Sequence, residues 1–215
     1  MALQEIEKLH TSIVVLPVGD FDLNISAGEL SKVVREPRVE LLPPPASIAT
    51  ISSLRDQVEI IIGRGRIQIR DDSDFKPGAE RFTRIVADFT NLISQVTGVG
   101  YRAFGWNFDI SFKLGLDEQP AKIIATRFIN QNAIRSATNL EVIGGAIRFF
   151  YEKESALCYL YIEPRGNKLD AQQFYSHINV HYSEMGDSLP GQDELESSFR
   201  REYQDYINLL EKLLA

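Results

Sequence analysis

The chain has 215 residues, 44% of them apolar and 25% charged, which provides for one large domain or two smaller ones and excludes a disordered polymer. Its net charge of −7 disfavours wide contact with nucleic-acid phosphates. Cys158 is the only cysteine, so an internal disulfide is excluded, and no run reaches the roughly 18 apolar residues of a membrane helix.

Leu3, Ile6 and Leu9 are spaced as one stripe of a short amphipathic helix over the first ten residues. Their charges, Glu5, Glu7 and Lys8, are unlike a signal peptide, and a cytoplasmic, membrane-free protein is expected. Strand-like runs follow at 12–18 and 21–25, split by Pro17 and Gly19-Asp20. Ser26 and Glu29 have capping-box spacing and predict a helix over 27–34. Residues 38–42 are extended and stop at Pro43-Pro44-Pro45, a stiff connector. A strand is predicted over 47–52, then a hairpin of 57–62 and 66–70 turning at Gly63-Arg64-Gly65. Asp71, Asp72 and Asp74 read as a solvated loop without the remaining ligands of an EF-hand. Pro77-Gly78 opens a helix to Thr97, with Phe82, Ile85, Val86, Phe89, Leu92, Ile93 and Val96 as its apolar stripe.

The run Tyr101 to Leu114 alternates without a break. Phe104, Trp106, Phe108, Ile110, Phe112 and Leu114 take one side, and Tyr101, Ala103, Gly105, Asn107, Asp109, Ser111 and Lys113 the other. The first set predicts a core face; the second is a continuous polar face. Pro120 opens a helix through Ile123, Ile124 and Phe128. Strands are predicted over 140–151, with a bend at Gly144-Gly145, over 156–163 and over 174–182. Cys158 sits among apolar residues of the second of these and reads as a small hydrophobe. Pro190-Gly191, with Asp193 and Glu196 in capping-box spacing, opens a closing helix striped by Leu195, Phe199, Tyr206, Leu210 and Leu213.

Each half therefore runs strands, then Pro-Gly, then a long amphipathic helix. The predicted fold is α+β, with two antiparallel sheet-plus-helix units over 1–98 and 99–215, side by side or fused into one sheet, and an internal duplication is suggested. Charge is uneven: 32–70 holds seven Lys/Arg against four Asp/Glu, and 151–215 holds six against twelve.

No phosphate-binding loop, nucleophile elbow, His-Glu-x-x-His or Cys-x-x-Cys is present. Three groups remain as candidate binding residues. Arg64, Arg66 and Arg70 around the hairpin tip suit an anion. Asn107 and Asp109 occupy the polar face of the long strand although both are poor strand formers. His177, Asn179 and His181 share one face of a later strand, but four residues of strand span about 13 Å, too far for two imidazoles on one zinc ion. No metal, cofactor or catalytic residue is assigned.

The helix over 81–96, the strand with Gly105-Trp106-Asn107-Phe108, and a second sheet closed by a C-terminal helix resemble a sporadically distributed, uncharacterised prokaryotic family with two sheet-and-helix halves. That resemblance implies a fold and no chemistry. The expected function is non-catalytic binding or assembly through a protein partner or self-association. An enzyme or small-ligand sensor with a polar site between the halves is the alternative, and nucleic-acid binding through Arg64, Arg66 and Arg70 the third.

Overall fold

The computed structural model describes residues 2–19, 25–42, 48–63, 65–73, 79–115, 118–183 and 188–214. The fold is α+β. Nine strands form one antiparallel sheet: β1 (Leu3–Pro17), β2 (Arg38–Leu42), β3 (Ile48–Ser53), β4 (Val58–Gly63), β5 (Arg66–Asp71), β6 (Tyr101–Leu114), β7 (Ile147–Lys153), β8 (Ala156–Pro164) and β9 (Phe174–Tyr182). Their order is β2-β3-β4-β5-β1-β6-β9-β8-β7. The helices are α1 (Ala27–Val33), α2 (Ala79–Thr97), α3 (Pro120–Phe128), α4 (Gln131–Thr138) and α5 (Gln192–Leu214).

Alternation explains which face is covered. Ile13 and Val15 on β1, Trp106, Phe108 and Phe112 on β6, and Ile178 and Val180 on β9 share one side of the pleat and join a single core with Phe82, Phe89, Phe199 and Leu210 of α2 and α5. Trp106 is fully buried; its ring meets Phe199 edge-on at 5.3 Å, and its Nε1 donates to Ser198 Oγ at 3.1 Å. Strand residues in the opposite phase, from Gln68 and Arg70 through Asn107 to His177 and Tyr159, lie outside that core.

Several local expectations change. Residues 3–10 are strand, not helix. Register shifts between Gln4 and Glu7 and between Lys8 and His10, with Glu5 at φ +48°, insert extra residues, so an alternating strand acquires helix-like spacing. The predicted strand over 140–151 shrinks to β7, because Gln131 clamps the preceding segment through both Val142 N–H and Val142 C=O. Gly144 and Gly145 form no strand bulge. They let that segment approach helix α3, since a Cβ on Gly144 would lie 3.1 Å from Ala121 and one on Gly145 3.1 Å from Ile129. Helix α5 starts at Gln192, so Glu194 rather than Glu196 reaches back to the cap, bonding Gly191 N–H.

Asp71 is not in a solvated loop. It ends β5, is fully buried, and accepts from Lys8 Nζ at 2.8 Å and from Arg81. Burial alone would raise its pKa; Lys8, Ser73 and Arg81 outweigh that and lower it. The capping box at Ser26–Glu29 and the hairpin β4–β5 form where the residues predict them. The run 21–24, Pro43-Pro44-Pro45, Arg64, Asp74 and Pro77-Gly78 lie outside the described residues.

Candidate functional site

The uncovered side of the sheet carries the candidate site, because antiparallel register stacks equivalent residues into rows that cross the strands. One row runs Arg70, Ser12, Asn107, Asn179, Tyr159, Phe150. The next runs His10, Asp109, His177, Tyr161, Arg148. A third holds Glu7, Ser111, Tyr175 and Glu163.

Asp109 is the centre of the second row and only 3% exposed, although its face has no helix over it. Its burial comes from neighbours on the flanking strands. His177 Nδ1 lies 3.1 Å from Oδ1, Tyr175 donates to the same oxygen, and His10 Nε2 lies 3.0 Å from Oδ2, off the line of a well-aligned hydrogen bond. Burial would push the Asp109 pKa up. The approach of His10, the hydrogen bond and charge of His177 and the Tyr175 hydroxyl together outweigh it and hold the carboxyl well below the usual carboxylate range. Burial, and then the Asp109 carboxylate, push the Tyr175 phenol up, so it stays a donor.

His177 approaches Oδ1 through Nδ1 and His10 approaches Oδ2 through Nε2, so the second ring nitrogen of each, Nε2 of His177 and Nδ1 of His10, is left without a partner among the described residues. Beside them Asn179 donates to Asn107 at 2.9 Å, and the Tyr159 ring stands 6.2 Å from that of His177. Along the third row Arg165 donates to Glu7 at 2.7 Å and to Ser111 at 3.0 Å. The Arg165 hydrogen bond, then that of Ser111, lowers the Glu7 pKa.

The structure thus brings together Asn107 with Asn179 and Asp109 with His177. His181 shares their face opposite Gly105 but stands one row away. Arg66 and Arg70 also point to the open side, yet Arg70 is paired with Asp72 at 2.6 Å and Glu59 at 3.2 Å, and Arg66 donates to Gln68. Arg64 lies outside the described residues. His10 and Tyr175 join the cluster unforeseen. Tyr175 was legible, being in phase with His177 and Asn179; His10 was hidden by the bulges that disguised β1.

Among the described residues no group of three or more His, Cys, Asp or Glu could hold a metal ion, and no helix is long and apolar enough to cross a membrane. A cleft of about 410 Å³ on the helix side is lined by Phe104, Tyr182, Pro190, Glu194 and Arg201, but the Arg201 guanidinium is already engaged by Glu202 and Tyr182.

No family model matches the chain, and no curated protein matches it. Among solved structures the chain is similar to one titled "Methanococcus jannaschii TBP", at 14% identity and a TM-score of 0.36, covering 95% of this chain and 98% of that chain.

Proposed function

We propose that the protein is a non-catalytic binding module that docks a protein partner on the open face of its sheet. One observation carries this reading: the core and helices α1, α2, α3 and α5 occupy one side, while β6, β9, β8 and β7 present tyrosine, histidine, asparagine and arginine side chains on the other. Tyrosine and arginine on a rigid backbone give large contact area at low ordering entropy, the composition of protein interfaces. Leu157 and Phe150 are exposed apolar residues on the same face.

Native mass spectrometry of protein isolated from its own host, followed by binding measurements with the partner found, tests the reading. Leu157→Glu or His181→Glu weakens binding at least tenfold, whereas Arg200→Glu on α5, on the other side, leaves it unchanged. The reading fails if α5 variants abolish binding and face variants do not.

A second reading rests on Asp109. His177 Nε2 and His10 Nδ1 have no partner among the described residues, which suits a small polar ligand. A thermal shift with small molecules that His177→Ala removes supports this reading over the first. Nucleic-acid binding has less support, because Arg70 is already neutralised; binding that collapses steeply with added salt would revive it.

We also infer that the two halves are one duplicated unit. Supporting this, β1 and β6 lie side by side at the sheet centre, the remaining strands of each half follow outward in descending chain order, and α2 and α5 close the two halves.

A further inference from the structure

Among the described residues the sheet ends on two edge strands, β2 and β7, each paired on one side only. Edge strands invite further pairing, and proteins blunt them with proline, bulges or brevity. Strand β2 has five residues and follows Pro37 closely. Strand β7 has no proline, bulge or brevity; its guard is charge, carried by Arg148, Glu152 and Lys153. Its seven residues, IRFFYEK, contain neither proline nor glycine and pair with β8 without a break in register. Phe150 at its middle is 73% exposed on the open face.

Arg148 and Glu152 lie two residues to either side of Phe150 and therefore on the same face. Arg148 sits over the Tyr161 ring at 4.9 Å, and neither charge has an ion-pair partner among the described residues. The pattern is self-complementary. In an antiparallel pair of two copies of β7 centred on Phe150, Arg148 of each copy faces Glu152 of the other, Phe150 faces Phe150, and Phe149 faces Tyr151. That centre is also the one that opposes every residue from Ile147 to Lys153. A two-fold axis satisfies both ion pairs at once, and opposite charges and aromatic pairs directly across an antiparallel ladder both stabilise it.

We propose that the protein forms a two-fold homodimer through antiparallel β7–β7 pairing, joining two sheets into one continuous sheet. This deepens the reading of the protein as a binding module and rests on it only in naming a second copy as one of its partners. Edge pairing and face docking fail separately.

Sedimentation over a concentration series gives a monomer–dimer equilibrium of the 24.3 kDa chain. Arg148→Glu and Glu152→Arg each oppose like charges and shift the dissociation constant at least tenfold toward monomer, with circular dichroism unchanged. Mixing the two variants restores a dimer containing one of each, which native mass spectrometry separates by mass. His181→Glu, which disturbs the face, still dimerises. A monomer at every concentration overturns the proposal, as does a dimer indifferent to both substitutions or the absence of a mixed dimer.

Discussion

Asp109 shows how a single polar residue is held in the middle of a strand. Asparagine and aspartate are poor strand formers, and here the register supplies the compensation: His177 and Tyr175 from β9 and His10 from β1 meet one carboxylate. Asp109→Asn presents an amide N–H₂ to groups that are themselves donors, and lowers unfolding free energy by about 1–3 kcal/mol in urea titrations. The pH dependence follows from the depressed Asp109 pKa. Its stabilisation is fully present above the unfolded carboxylate value of about 3.9 and is lost as pH falls through the lower folded value. Wild-type stability therefore declines below about pH 4, and the asparagine variant declines less steeply over that range. Asp71 and Glu202, also lowered by their cationic neighbours, leave a residual acid sensitivity in the variant.

Elements differ in how much they rely on tertiary packing. Helix α2 buries Phe82, Ile85, Val86, Phe89 and Ile93 in the core, and its stripe is plain in the residues. Helix α4 has no buried residue and is held by its Asn130 cap, which bonds Ala133 N–H, and by the Gln131 clamp. Amide hydrogen exchange separates the two: α2 and β6 exchange only through global opening, while α4 exchanges orders of magnitude faster. The same contrast explains what could be read in advance. The extent of strand β6 is predicted end to end, although a register shift at its start turns Tyr101, expected on the polar face, into the core, where its hydroxyl donates to Thr90 C=O; Ser26-Glu29 marks α1. Helix α4 has little to announce it, because an exposed short helix needs no apolar stripe. Strand β1 misleads because its bulges set Leu3, Ile6 and Leu9 three apart. For the site, shared phase on β9 makes His177 and Asn179 legible together, but their meeting with β6 depends on a pairing seventy residues apart in the chain, which local periodicity does not encode.

At the scale of the whole molecule the two halves are joined through β1 and β6, paired along most of their lengths, and through the packing of α2 on α5. A chain cut at 98/99 leaves each half with its long central strand open along one edge and half a helix layer. Expressed alone, neither half gives a cooperative melt; co-expressed or mixed on refolding, they recover the circular dichroism spectrum of the intact protein. Independent two-state melting of either fragment would contradict this.

The central position of β1 also sets an order of events. It leaves the ribosome before either of its neighbours, yet β5 follows only at residue 66 and β6 at residue 101. During synthesis an apolar segment containing Ile13 and Val15 must therefore wait, unpaired, for about a third of the chain to appear before β5 can join it, and the sheet can close from its middle only after Leu114 has emerged. Translation speed across the first half, and shielding of that segment by chaperones, thus bear directly on the yield of folded protein.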